Sequence, residues 1–126
     1  MIVVDTDVLI DSLNGKSPSS DRVALEIQSG TLATTTITVF ELFSGAKTGK
    51  ARGSIEKLLW ALRIFPLDEE SGATAAAIRR ELEGRGTTIG MADYLIAGIC
   101  QARSLPLLTR NRVHFERVTG LRVEVP

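Results

Sequence analysis

Three carboxylates stand out against the residues around them. Between Ile27 and Ala46 the only charged residue is Glu41, set among Val39, Phe40, Leu42 and Phe43. Between Gly86 and Ala102 the only charged residue is Asp93, flanked by Met91, Ala92, Tyr94, Leu95 and Ile96. Asp5 closes the apolar run Ile2-Val3-Val4, with Asp7 and Asp11 close behind. An isolated carboxylate taken into low dielectric carries an idealised cost of order 20 kcal/mol. It must pair, bind a cation or take up a proton. Two carboxylates ~4 Å apart repel by about 4 kcal/mol at an effective dielectric of 20. Three lone acids on separate buried elements therefore point to convergence on one site. A hard divalent cation with oxygen ligands would remove the repulsion; Mg²⁺ typically takes one or two carboxylates and keeps several waters. Nothing suggests zinc, because the one His and the one Cys are far apart in sequence. Gly84-Arg85-Gly86 follows a helix pattern rather than a strand, so it does not read as a phosphate loop.

Each acid also has a purely structural reading. Asp5 and Asp7 suit the cap of a following helix, and for Asp7 capping is the preferred role. Thr38-Val39-Phe40-Glu41 has the spacing of a capping box. Asp93 falls in the first turn of its helix, where a negative charge is favourable by ~0.3–1 kcal/mol. Salt bridges to Arg80 or Arg110 would serve as well.

The elements that must position these residues follow from the pattern. Ile2-Val3-Val4 is short, unbroken and rich in β-branched residues, which is how a strand buried on both faces of a parallel sheet reads. Asp5 then lies at a strand's carboxyl end, where open α/β sheets bind ligands. Residues 8–13 make a first helical turn or two, and a second helix after 17–21 ends at Gly30. Residues 31–35 form a second strand. Helices at 38–46 and 54–62, a strand at 63–67, an alanine-rich helix at 68–82 and a long apolar helix at 91–103 come next. Strands at 105–108 and 121–125 complete the chain. Alternation of strand and helix predicts one domain over 1–126: a three-layer α/β/α architecture with a mainly parallel central sheet. At 126 residues, 44% hydrophobic and 24% charged, the chain can bury a core of its own. The formal net charge of zero gives no overall basic field for nucleic acid, so any such contact needs a local patch. A single cysteine and the lack of a signal or membrane-span pattern lead to the expectation of a cytoplasmic protein.

Four short motifs resemble the PIN-domain family, in its small VapC-type toxin branch. They are Val3-Val4-Asp5-Thr6, Thr36-Ile37-Thr38-Val39-Phe40-Glu41-Leu42, Ala92-Asp93-Tyr94-Leu95-Ile96-Ala97 and Leu108-Thr109-Arg110-Asn111-Arg112-Val113-His114-Phe115. Each is weak alone; four in register across the chain are fairly specific. The resemblance implies a Mg²⁺- or Mn²⁺-dependent endoribonuclease, a homodimer, inhibited by a cognate antitoxin. Carried over by position, Asp5, Glu41 and Asp93 hold the metal, and Thr6, Thr109 and Asn111 bind water or phosphate. The fourth acidic position of the family falls at Asn111 or His114, and this chain has no acid at either. One strong cation site and a weak second one are expected. For His114, a half-exposed ring packed beside Phe115 is preferred to a catalytic base. Arg110, Arg112 and Arg117 offer the local basic patch, although solvated surface charge is their commoner fate.

Two rival readings remain. Asp5-Thr6-Asp7 also resembles the Asp-x-Asp signature of haloacid-dehalogenase-like phosphatases, with Asp5 as nucleophile. Those enzymes need a later lysine, and the last lysine here is Lys57. The other rival is a catalytically inert PIN-like module that binds RNA or protein.

Overall fold

The computed structural model describes residues 1–126. Five strands form one sheet: β1 (Ile2–Val4), β2 (Leu32–Thr35), β3 (Arg63–Phe65), β4 (Leu107–Leu108) and β5 (Val123–Glu124). Their order is β3-β2-β1-β4-β5, and every pairing is parallel. The helices are α1 (Thr6–Leu13), α2 (Ser19–Gln28), α3 (Thr36–Gly45), α4 (Gly49–Trp60), α5 (Glu69–Gly84), α6 (Met91–Ala102) and α7 (Arg112–Phe115). None is long and apolar enough to cross a membrane.

Side-chain alternation on the strands divides the core into two layers. Val3, Ala33 and Leu107 pack with Ile78 and Leu82 of α5, Tyr94, Ile96 and Ile99 of α6, and Phe115 of α7. Ile2, Val4, Leu32 and Leu108 pack with Val8 and Leu9 of α1, Val23 of α2, Leu42 of α3, and Ile55 and Leu59 of α4. Burying one such leucine or isoleucine contributes roughly 1.5–3 kcal/mol. The layer over α5 and α6 is the tighter. A Cβ at Gly98 would stand 2.6 Å from Ala75 Cβ and 2.7 Å from the Ser71 carbonyl oxygen, so only glycine lets these helices approach this closely. On the other face the Leu59 and Leu62 stripe belongs to the core, whereas Trp60 is 92% exposed.

Two expectations are corrected at the helix starts. α3 begins at Thr36 rather than Thr38, and its N-cap is Thr35, whose hydroxyl accepts from Thr38 N at 3.2 Å. The capping-box reading of Thr38 and Glu41 therefore fails: Thr38 is inside the first turn and Glu41 is a turn further on. α1 is capped by Asp5, whose Oδ1 accepts from Thr6 N at 2.8 Å, and not by Asp7.

The connections leave β1 toward β2 and β3 on one side, then return through α5 and α6 to β4 on the other. The order reverses between β1 and β4, which places a crevice beyond the carboxyl ends of those two strands. Asp5 follows β1 and Thr109 follows β4, so the crevice lies between them.

Candidate active site

Asp5 is the buried centre of the crevice, 6% exposed. Its Oδ1 accepts from Thr6 N, and its Oδ2 accepts from Thr109 Oγ1 at 2.7 Å. These contacts tie the ends of β1 and β4 together at the reversal point. Burial pushes the Asp5 carboxyl up to about 7. Asp7 adds to the rise and Asp93 adds less, while the Thr109 hydroxyl and Thr6 N–H act in the opposite direction. The charge of Asp5 is thus held at high cost, in the way that a nearby cation would relieve.

Two chains of hydrogen bonds run outward from Asp5. One passes through Thr6 to Glu41. Thr6 Oγ1 lies 2.6 Å from Glu41 Oε1 and 3.0 Å from Thr38 Oγ1. A hydroxyl has one proton. The short contact to the carboxylate, within the range of charge-assisted O–H···O⁻ bonds, takes it. The other chain passes through the segment after β4. Asn111 N donates to Thr109 Oγ1 at 3.0 Å, and Asn111 Nδ2 sits 2.9 Å from His114 Nδ1. His114 Nδ1 in turn lies 3.6 Å from Asp93 Oδ2. The fully buried Phe115 anchors α7 in the core and so fixes Asn111 and His114 at the crevice.

Glu41 and the auxiliary residues Thr6, Thr109 and Asn111 are therefore linked to Asp5 by hydrogen bonds, and Asp93 stands beyond them, 3.6 Å from His114 Nδ1. The expectation that all three acids are buried holds for Asp5 alone. Glu41 and Asp93 are half-buried on the rim, because Phe40 beside Glu41 is 70% exposed and Met91 near Asp93 is 57% exposed. Asp93 keeps its place in the first turn of α6, whose N-cap, Gly90, supplies no side chain. None of the three acids pairs with Arg80 or Arg110. His114 is half-exposed as expected, and its ring lies against the Asn111 amide.

Two residues were undervalued in the sequence. Asp7 is the main charged neighbour of Asp5, not a cap. Its Oδ2 accepts from Arg110 N at 3.1 Å, its Oδ1 is buried without a partner, and burial raises its own pKa. Thr38 joins the buried hydroxyl chain behind Glu41. The expected basic patch is partly neutralised: Arg110 pairs with Asp11 and Arg112 pairs with Glu116, while Arg117 donates to the uncharged Thr88 carbonyl and keeps its charge.

The donors available are carboxylates and hydroxyls, with the unpartnered Oδ1 of Asp7 beside them. That set fits a hard divalent cation. No three of the His, Cys, Asp and Glu side chains close into a ready-made ligand cluster.

A PIN domain family model matches residues 2–121. The chain is 30% identical over 126 residues to a tRNA(fMet)-specific endonuclease VapC of Shigella flexneri, covering 97% of this chain and 95% of that one. It is 34% identical over 115 residues to ribonuclease VapC10 of Mycobacterium tuberculosis, covering 91% and 86%. Among solved structures, VapBC2 from Rickettsia felis bound to a promoter DNA fragment aligns with a TM-score of 0.89 at 25% identity, over 100% of this chain and 99% of that one. DNA-bound VapBC from Salmonella typhimurium aligns at 0.87 and 28% identity, over 99% and 98%.

Proposed function

The chain belongs to the PIN-domain family, and we propose that it is a VapC-type endoribonuclease, the toxin of a toxin–antitoxin pair. It hydrolyses RNA phosphodiester bonds and is held inactive by a cognate antitoxin. The observation that carries this reading is the buried Asp5 at the β1/β4 reversal point, tied to Thr109 and joined through Thr6 to Glu41. The relatives named as ribonucleases and the solved VapBC assemblies support it.

The same geometry supports the finer assignments. Asp5, Glu41 and Asp93 would hold Mg²⁺ or Mn²⁺. Bound there, the ion supplies a more acidic water and a polarised scissile phosphate. Asp5 is positioned by Thr6 N–H and the Thr109 hydroxyl and does not need to move. Glu41 is fixed through Oε1 by Thr6, which leaves Oε2 to orient an attacking water. The Asn111 side chain, anchored through its backbone to Thr109, can hold water or a phosphate oxygen. Exposed Phe40 and Trp60 are apolar surface suited to partner chains, in keeping with a homodimer. Residues 1–126 act as one nuclease domain in the cytoplasm.

Antitoxin-free protein should cut RNA when Mg²⁺ or Mn²⁺ is present and stop on chelation. An initiator tRNA, the class named for the Shigella relative, and an unrelated stem-loop are the first substrates to compare. RNA binding without cleavage of any substrate would favour the inert module instead.

A further inference from the structure

Arg117 lies just beyond α7 and has no place in the reaction scheme above. We infer that Arg117 is a positioning residue: its guanidinium holds the connection between α5 and α6 and, through it, sets Asp93 in the crevice. The inference rests on the nuclease reading above and goes beyond it by giving Arg117 a role other than contact with RNA.

The first turn of α6 is poorly secured by its own sequence. Its N-cap, Gly90, offers no side chain to the free N–H groups of the helix start. Further along, Ile96 and Ile99 lie in the core and Gly98 packs against Ala75. The middle of α6 is therefore anchored, whereas the end that carries Asp93 depends on the chain leading into it. Two side chains grip that chain by its backbone. Tyr94 Oη, on a buried ring, accepts from Ile89 N at 3.2 Å. Arg117 Nη1 donates to the Thr88 carbonyl at 2.9 Å. The second grip is reciprocal, because Arg85 Nη2 donates to the Arg117 carbonyl. Phe115 and Val118, buried on either side of Arg117, keep its backbone in place. The same segment carries His114, whose Nδ1 lies 3.6 Å from Asp93 Oδ2. The two arginines thus clamp the approach to α6 against the end of α7, where Asp93 meets the other wall of the crevice.

Three measurements on Arg117→Met decide the matter. In RNA cleavage, kcat should fall roughly 10-fold with KM unchanged, as when a ligand loses its supporting partner. A direct phosphate contact would instead raise KM and reduce the salt slope of RNA binding by about 1, and that result would overturn the inference. The double variant Arg117→Met/Asp93→Asn should be little slower than Asp93→Asn alone, because one residue acts through the other. Losses that multiply would overturn it as well. Amide hydrogen exchange in the metal-free protein reads the clamp without any activity. Exchange at Ile89, Tyr94 and Leu95 should quicken in Arg117→Met, while Ile99 and Cys100 stay as in wild type. Unchanged exchange at Ile89 and Tyr94 would overturn the inference whether or not RNA is cut. A wild type that cuts no RNA, alongside the expected exchange pattern, would sink the nuclease reading and leave the clamp standing. Quickening throughout α6 would mark a failed fold, and Arg117→Lys, which keeps the charge but loses the planar fork, then carries the same three measurements.

Discussion

Asp5 and the pair Glu41 and Asp93 reach the same crevice by different routes. Asp5 is delivered by the end of the central strand and is buried. Glu41 and Asp93 ride on helices from opposite faces of the sheet and stop at the rim. The electrostatic cost of the site is therefore concentrated in one residue: Asp5 is lifted to about 7, mainly by burial and then by Asp7, with Asp93 a smaller contributor. A site built this way has one charge that destabilises the fold without a cation and two that solvent already screens.

The largest effect should come from removing that one charge. Asp5→Asn should lower RNA cleavage by roughly 100-fold or more, beyond what losing an outer partner of a ligand costs. The same substitution should raise the melting temperature of the metal-free protein at pH 8. The isosteric amide can still accept from Thr6 N through Oδ1 and can donate to Thr109 Oγ1 through Nδ2, while removing the buried charge. The gain is up to about 4 kcal/mol, or roughly 10 °C for a chain of this size. A metal-free Asp5→Asn that melts below wild type would dissolve the contrast between Asp5 and the rim acids.

The pH dependence sharpens it. The folded pKa of Asp5 lies above its unfolded value of 3.8. The folded state therefore binds the proton more tightly. Its contribution to stability is fully present below pH ~4 and is lost as pH rises toward about 7. Melting of metal-free wild type from pH 4 to pH 8 should show this loss, and Asp5→Asn should show much less of it. Equal slopes in the two proteins would place the buried charge elsewhere.

Asp93→Asn should lower cleavage by less than Asp5→Asn, roughly 10–100-fold, and change metal-free stability by only about 1 kcal/mol. Lost interaction with the start of α6 and relief of repulsion at Asp5 act in opposite directions. Thr6→Val should have the smallest effect of the three substitutions. It frees Glu41 from its short hydrogen bond and should reduce cleavage by roughly 10-fold, as loss of a ligand's supporting partner does. Stability should drop by about 1 kcal/mol, because water can reach the half-buried Glu41. Cleavage unchanged in Thr6→Val would mean that Glu41 does not need positioning.

How much of this was legible in the sequence varied along the chain. β1, the parallel order of the sheet and the place of Asp5 could be read from Ile2-Val3-Val4 ending in an acid, because a strand buried on both faces has few alternatives. The start of α3 could not. Thr36 and Ile37 are β-branched and follow a threonine-rich strand, so they read as extended, and the Thr35 cap depends on a hydrogen bond that spacing does not reveal. The shift turned Glu41 into an apparent capping residue. The half-exposure of Glu41 and Asp93 was also hidden. Phe40 and Met91 count as apolar in any sequence pattern, but the fold leaves both without a partner. Arg110 and Arg112 looked available for RNA because their acidic neighbours, Asp11 and Glu116, become partners only in the folded chain.

The central claim is that the three acids share one cation, and thermal melting with added Mn²⁺ tests it most directly. At pH 8, Mn²⁺ at about 100 times its dissociation constant should stabilise wild type by about 2.7 kcal/mol. The rise should be absent in Asp5→Asn, nearly absent in Asp93→Asn and reduced in Glu41→Gln. The same Mn²⁺-dependent rise in wild type and in all three variants would contradict the shared site.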